Sequence, residues 1–321
     1  IEGDNLHALT ALSYTHEGKI DVIYIDPPYN TGQEAKDGGF IYNDKFVDKE
    51  DSYRHSKWLS FMNKRLTIAK QLLSDNGVIF ISIDDNEQAQ LKLLCDEVFG
   101  EKTFVANCPR KTAGSRTTKS KHELQTLHDY VLIYRNIHND EFTQNIVGEK
   151  TYPFEDERGN FYVVPLQDNG PHGTQSARPN LYYPIYQKQD GTLTLEKTDI
   201  EFLPHQHKGE NGCWMWSKKK FLTDYKDLII DKGEVKIKHY FTEGEDINKY
   251  QAYKIWLDSF LNLNGTKILN EVITNSSFAT SNPKPINLIN FLLNLSPNKF
   301  ATILDFFAGS GTTLHATMQL N

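Results

Sequence analysis

The sequence predicts an α/β fold: a parallel sheet with helices between its strands, split by an inserted and mostly β domain. Three observations carry that prediction. Two short apolar runs, Ile20–Ile25 and Val78–Ile83, each end at acidic residues, as buried parallel strands do. Apolar residues at 58, 59, 62, 66, 69 and 73 follow a helical period between them. That period fades from about Asn136 to Thr280 and then returns.

Taken in order, Ile20–Ile25 reads as the first strand, stopped by Asp26-Pro27-Pro28. Lys57–Leu73 reads as the next helix, ended by Ser74-Asp75-Asn76-Gly77. Val78–Ile83 is the second strand, and Asp84-Asp85 are expected to cap a helix through about Phe99, with Gly100 just past its end. Asp129–Arg135 is another strand, and the alternation of strands with helices predicts a parallel sheet. The middle scatters Gly, Pro and aromatics among short strand-like pieces such as Phe161–Val164 and Leu181–Tyr186. Afterwards Pro285–Leu295 reads as a helix with Pro near its first turn, stopped by Ser296-Pro297. Ala301–Phe307 is a strand, Gly309–Gly311 a turn, and Thr312–Leu320 the start of a helix. The expected organisation is therefore 1–135 and 281–321 as one split sheet domain around an insertion at 136–280.

Composition bounds the function. In 321 residues, 35 Lys and Arg face 42 Asp and Glu, a formal charge of −7. That acidic total argues against a general nucleic-acid binder, so any such role must come from local basic clusters. With 38% hydrophobic and 12% aromatic residues the chain can bury a core, which excludes general disorder. No apolar run approaches the roughly 18 residues of a membrane helix. Cys95, Cys108 and Cys213 cannot make a disulfide framework, and no two stand at metal-ligand spacing. The chain reads as a soluble protein of a reducing compartment; opening at Ile1 with no signal peptide, it is expected to be a fragment.

The sharpest chemical signal is Asp26-Pro27-Pro28-Tyr29, at the carboxyl end of a predicted parallel strand, where open α/β sheets bind ligands. The bland alternative is a polar turn in which Pro-Pro merely stops the strand. Two prolines leave no backbone N–H and stiffen the loop, so its carbonyls can point into a pocket. The exocyclic amine of a nucleobase is a poor nucleophile, because its lone pair is delocalised into the ring. A carboxylate and a backbone carbonyl accepting its two N–H groups favour the pyramidal amine that attacks. An aromatic three positions on offers a stacking face to a base taken out of the duplex. Asp26, the Pro27 carbonyl and Tyr29 fit those roles.

The second signal runs from Asp305 to Thr313, a strand, a glycine turn and a helix start. Glycines let backbone approach a ligand closely, and a helix N-terminus favours a negative group. A tight turn made only for packing is the alternative. The turn lacks the Lys of a phosphate-cradling loop and the full G-x-G-x-x-G pattern, so nucleoside triphosphate and dinucleotide sites are poorly supported.

Together, Tyr24–Gly32 and Leu304–Thr313 resemble the catalytic and cofactor motifs of S-adenosylmethionine-dependent DNA amino-methyltransferases. The catalytic motif first, the cofactor motif last and a long insertion between them resemble the beta-ordered group. Glu157-Arg158-Gly159, the run Arg178–Tyr186, Trp214-Met215-Trp216-Ser217 and Asn282-Pro283-Lys284-Pro285 with Leu288-Ile289 are similar to the modification subunit of type III restriction-modification systems.

The resemblance implies a Rossmann-like, doubly wound methyltransferase sheet, circularly permuted, with 136–280 as target-recognition domain. It implies that Asp26 and Tyr29 are the catalytic acid and the base-stacking aromatic. Asp305, Phe307, Gly309, Ser310, Gly311 and Thr312 become the cofactor loop, Lys284 and Pro285 a second cofactor motif, and Gly3-Asp4-Asn5 the border of the cofactor's adenine. The implied reaction is base flipping followed by direct methyl transfer to adenine N6 in double-stranded DNA. A homodimer, an ATP-dependent restriction subunit and a bacterial or archaeal cytoplasm are the implied setting. The family's acidic ribose ligand is expected beyond Asn321, so part of the cofactor pocket and at least one strand are expected to be missing.

Arg110, Lys111, Arg116, Lys119 and Lys121 are expected in a loop that contacts DNA phosphates, with a solvated charge run as the alternative. Lys218-Lys219-Lys220 and Lys232–His239 are further candidates. Cys108-Pro109 reverses the Pro-Cys order of a cytosine-attacking loop, and His205 with His207 lacks a third metal ligand. Trp214, Trp216, Tyr182, Tyr183 and Tyr186 read as core of the insertion. Three other functions compete with the adenine reading. They are a cytosine-N4 methyltransferase, an RNA or protein-glutamine methyltransferase, and a DNA-binding protein of this fold that has lost catalysis.

Overall fold

The computed structural model describes residues 1–31, 51–114, 124–136, 142–272 and 283–321. In chain order it opens with α1 (Asn5–His16), β1 (Ile20–Ile25), α2 (Arg54–Leu72), β2 (Leu73–Ile83), α3 (Gln88–Phe99), β3 (Phe104–Lys111) and β4 (His128–Arg135). Next come β5 (Ile146–Glu149), β6 (Phe154–Asp156), β7 (Gly159–Pro165), β8 (Ile185–Gln187), β9 (Leu193–Thr194), β10 (Ile200–Phe202), β11 (Gln206–His207) and β12 (Glu210–Asn211). The chain continues through α4 (Lys218–Asp224), β13 (Leu228–Asp231), β14 (Glu234–Tyr240) and β15 (Asn248–Tyr250). It closes with α5 (Asn262–Val272), α6 (Ile286–Asn294), β16 (Ile303–Leu304) and α7 (Thr312–Leu320).

Two compact units result, one of 1–145 with 252–321 and the other of 146–251. The second is narrower than the segment 136–280 expected from the sequence. The reason is that its flanks bond to the first unit: Lys111 donates its amide to Leu257 O at 2.9 Å, Leu257 donates to Pro109 O at 3.0 Å, and Thr143 donates to Leu295 O at 2.9 Å.

The first unit holds a five-stranded sheet in the order β16-β1-β2-β4-β3. β16, β1 and β2 run parallel, with Ile23 beside both Leu304 and Ile79. β4 corrects the all-parallel expectation, because it runs antiparallel to β2 and to β3. β3 and β4 are consecutive in the chain and pair from Lys111 against His128 outward, the register of two strands that turn back on each other. Alternating side chains face opposite ways along a strand. Ile23, Ile25, Ile79 and Ile81 accordingly pack on Leu9, Met62, Leu66 and Leu91 of α1, α2 and α3. Val22, Tyr24, Val78 and Phe80 pack on Leu288, Ile289, Leu292 and Ala316 of α6 and α7. Both faces are covered, which makes this unit doubly wound and explains why β1 and β2 are apolar runs rather than alternating ones.

Other expectations shift at the edges. The last strand spans only Ile303–Leu304. Asp84 does not cap α3; its carboxylate turns back on the Asn86 amide at 3.0 Å. The helix α1, which the sequence reading did not foresee, is capped by Asp4, whose carboxylate accepts from the Leu6 and His7 amides at 2.9 and 3.2 Å.

The second unit is built from small antiparallel sheets, the largest ordered β13-β14-β7-β6. Its core gathers Leu166, Tyr183, Ile185, Trp214, Trp216, Phe221, Val235 and Ile237. The Trp214 indole donates to Tyr183 O at 2.8 Å and the Tyr183 hydroxyl to Trp216 O at 2.9 Å, so these aromatics spend their polar ends on internal bonds. Among the described residues no helix is long and apolar enough to cross a membrane.

Candidate active site

Asp26 leaves the sheet at the carboxyl end of β1, and Asp305 leaves it one residue past β16 on the adjacent parallel strand. Strand register therefore sets the two loops side by side. Tyr29 folds back so that its hydroxyl donates to Asp26 Oδ1 at 2.8 Å. The Lys284 ammonium donates to the same Tyr29 hydroxyl in a short bond, lies 3.2 Å from Asp26 Oδ1, and sits 4.7 Å from the centre of the Tyr29 ring. Burial, reinforced by Asp26, holds the Tyr29 hydroxyl well above its ordinary pKa, so it stays a neutral donor. The Pro28 carbonyl accepts from the Trp58 indole at 2.8 Å, and Asn30 takes a left-handed φ of 56°.

Lys284 is also 3.3 Å from Asp129 Oδ2. Asp129 in turn grips Arg110, through Nε at 2.7 Å and a short second bond from NH2. Arg110 NH1 donates to Phe260 O at 2.7 Å and Asn262 Oδ1 at 2.9 Å. The result is a line of alternating charges, Asp26, Lys284, Asp129 and Arg110, in which two buried cations are matched by two carboxylates. Lys284 is seated by a close approach of backbones. A Cβ on Gly265 of α5 would lie 2.4 Å from Pro283 O and 2.9 Å from Lys284 O, a space only glycine leaves.

The glycine turn is tied together by Asp305. Its Oδ1 accepts the Phe307 amide at 2.9 Å and its Oδ2 the Thr313 hydroxyl at 2.6 Å. Burial pushes this carboxyl up to about 6, with Asp26 adding to the rise against the pull of those two bonds. Gly309 and Gly311 both have positive φ, at 52° and 76°, and Gly311 is the residue from which α7 starts. Ser310 and Thr312 share a hydroxyl contact at 3.0 Å. A Cβ at Gly311 would meet nothing within 4 Å, so the turn has open space above it.

The remaining expected residues fall in three groups. Asn5 comes to the site: its amide donates to Phe306 O at 3.0 Å, and its oxygen accepts from Arg65 Nε at 2.7 Å. Phe307 packs toward α2, 6.0 Å from Phe61. Pro285 stands at the N-cap position of α6. Asp4 spends its carboxylate on capping α1, and Lys284, expected at the cofactor, directs its ammonium to Tyr29 and Asp26.

Arg110 is a correction. It lies in β3 rather than in a loop, is fully buried and is bonded to Asp129, so it does not present its charge to phosphate. Lys111 ends that strand, and Arg116, Lys119 and Lys121 lie outside the described residues. Cys108 is buried in β3, and burial pushes its thiol up to about 11, which leaves no thiolate for nucleophilic attack. The sequence reading missed Trp58, Glu87, Asp129 and Arg65, each embedded in a run that reads as ordinary helix, turn or strand.

Comparison with known proteins gives this arrangement its relatives. The model of the N6/N4 family described as DNA methylase matches residues 20–321. The type II methyltransferase M.KpnI of Klebsiella pneumoniae is 35% identical over 99% of this chain and 76% of its own length. The EcoPI Mod subunit of a type III restriction-modification enzyme, from Escherichia phage P1, is 33% identical over 100% of this chain and 55% of its own. The StyLTI Mod subunit of Salmonella typhimurium is 31% identical over 100% of this chain and 50% of its own. This chain thus spans about half the length of the type III relatives it matches. With the family model covering all but the first 19 residues, the chain belongs to the N6/N4 DNA methylase family.

Proposed function

We propose that this chain is the methyl-transferring part of a site-specific DNA adenine-N6 methyltransferase, the modification subunit of a type III restriction-modification system. The observation that carries the reading is the register of β1 and β16, which sets Asp26 and Tyr29 beside the Asp305 glycine turn. The family match and the type III relatives support it.

S-adenosyl-L-methionine supplies an electrophilic methyl on a sulfonium. The residues that fit it are Asp305, Phe307, Gly309, Ser310, Gly311 and Thr312, with Asn5 bracing the turn from α1. The catalytic loop acts on the base. Trp58 occupies the Pro28 carbonyl, which leaves the Pro27 carbonyl as the backbone acceptor beside the Asp26 carboxylate. These two acceptors would hold the N6 amine in the pyramidal form and stabilise the positive charge it gains as its lone pair takes the methyl; the methyl–sulfur bond would break to leave a neutral thioether, and Asp26 would take the surplus proton. Tyr29 stacks on the flipped base and repays part of the few kcal/mol that extraction from the duplex costs. For the amine to reach Asp26, the Lys284 ammonium must yield its place there, and Asp129 is the carboxylate that keeps it paired.

Double-stranded DNA, a second copy of the subunit and a restriction subunit are the proposed partners, in a bacterial or archaeal cytoplasm. The circularly permuted order and a target-recognition role for 146–251 belong to the same proposal. The test is methyl transfer from labelled S-adenosylmethionine to unmethylated genomic DNA by the full-length protein, beside Asp26→Ala, followed by digestion to nucleosides. Label in N6-methyladenine that vanishes in the variant is the expected result. Label in N4-methylcytosine overturns the choice of base, and no label in the presence of bound cofactor overturns the transfer itself.

A further inference from the structure

We infer that Glu87 is a positioning residue for the catalytic loop, acting through Asn30; the inference rests on the methyl-transfer reading above. Glu87 lies just before α3 and is 0% exposed, yet it carries a carboxylate. Its Oε1 accepts from Asn30 Nδ2 at 2.5 Å and contacts His55 Nδ1 at 2.7 Å. Arg54 Nε donates to His55 Nε2 at 3.2 Å, which makes Nδ1 the protonated nitrogen and His55 a donor to Glu87. Glu87 Oε2 is buried with no partner among the described residues. A carboxylate with one oxygen orphaned is costly to bury, and what it returns are charge-assisted bonds that converge on one loop residue and one helix.

The place of those bonds gives them their meaning. Asn30 follows Tyr29 directly, is 6% exposed, and holds a left-handed backbone that only a few side chains tolerate. On the other side of Tyr29, the Pro28 carbonyl is held by Trp58, which lies one turn beyond His55 on α2. Tyr29 is thus clamped at both neighbours, by an indole before it and by the Glu87 carboxylate after it. A ring that must release Asp26 and Lys284 and then receive a base needs its backbone held while its side chain changes partners. Glu87 touches neither the reacting groups nor the glycine turn in the bonds described, so its influence on transfer runs through the loop.

Asn30→Asp, Glu87→Gln and the double variant of the full-length protein test this. Asp tolerates a left-handed φ as Asn does, so the single change alters charge and leaves backbone preference alone. Alone, it sets two carboxylates against each other in a buried contact, and kcat is expected to fall about 30-fold while affinity for S-adenosylmethionine stays within about twofold. Glu87→Gln keeps an acceptor but loses charge assistance, and kcat falls about fivefold. In the double variant the introduced amide can donate to the introduced carboxylate, but the same NH2 then faces the His55 Nδ1–H, so kcat recovers in part, to between the levels of Asn30→Asp and Glu87→Gln. Melting temperature is recorded for each. An Asn30→Asp variant with unchanged kcat overturns the inference, as does a double variant that recovers its melting temperature without recovering kcat. A wild-type protein that transfers no methyl group refutes the methyl-transfer reading, whereas an active wild type with an unaffected Asn30→Asp refutes only the role of Glu87.

Discussion

Replacing Asp305 with Asn removes the charge from the glycine turn and leaves its shape. Burial, with Asp26 in support, holds the Asp305 carboxyl near about 6 against an ordinary 3.8, although the Thr313 hydroxyl and Phe307 amide pull it down. An acid whose pKa is raised on folding binds its proton more tightly in the native state. Ionising it therefore costs stability as pH rises from about 3.8 to 6, and above 6 the cost is complete. A shift of about two units corresponds to about 3 kcal/mol, and the part that falls between pH 5 and pH 8 is about 1.4 kcal/mol. Asp305 keeps some solvent contact, so screening makes both figures upper bounds. In Asp305→Asn the side-chain oxygen still accepts from the Phe307 amide, and its NH2 donates to the Thr313 hydroxyl, which can accept. Urea unfolding of both proteins at the two pH values is the assay. The stability of the variant relative to wild type should be greater at pH 8 than at pH 5, by up to about 1.4 kcal/mol. A pH-independent difference, or one of opposite sign, refutes the claim that burial dominates this carboxylate.

Gly265→Ala should cost about 1–3 kcal/mol in unfolding free energy and lower kcat as well, because the added methyl displaces the backbone that seats Lys284; wild-type kcat would show that the seat is slack. Asp129→Ala, which leaves Arg110 buried without its carboxylate, should destabilise by about 3–5 kcal/mol in denaturant titration, and a loss under 1 kcal/mol would mean that Arg110 finds other partners. Tyr29→Ala should raise KM for DNA by the value of one base–aromatic stack, about 1–3 kcal/mol, while Tyr29→Phe keeps that KM; equal effects would deny stacking. Trp58→Phe removes the bond to the Pro28 carbonyl, should cost about 1 kcal/mol, and is read from thermal unfolding beside kcat.

Some of this was legible along the chain because its causes are local. Asp26, Pro27, Pro28 and Tyr29 act within one turn, and the glycine turn carries its own backbone requirement at Gly309 and Gly311, so both motifs could be placed before any coordinates. Arg110 was misread because its partner Asp129 lies across a strand pairing, 19 residues on; beside Lys111, Ser115 and Arg116 it looks solvated. The reversed direction of β4 was hidden for a related reason. DYVLIYR is as apolar as a parallel strand, and direction is written in the connection, not in the strand. The contacts of Lys284 within the protein could not be read from the chain. Its ammonium is claimed by Tyr29, Asp26 and Asp129, whose convergence only the fold supplies.

The bond from Lys284 to Tyr29 joins residues 255 positions apart, and that from Asn5 to Phe306 joins residues 301 apart. A ribosome adding about 5–20 residues per second needs roughly 10–50 s to travel from one end of the first of these contacts to the other. Through that interval the emerging chain carries Asp26, and once synthesis passes residue 129 Asp129 as well, without their lysine, and a β1 edge still waiting for β16. The whole second unit is synthesised inside the same gap and can fold while the first remains open. Completion of the site is thus a late event in the life of the chain, and a nascent polypeptide released before residue 284 would hold the Asp26–Tyr29 loop without the cation that lies against it.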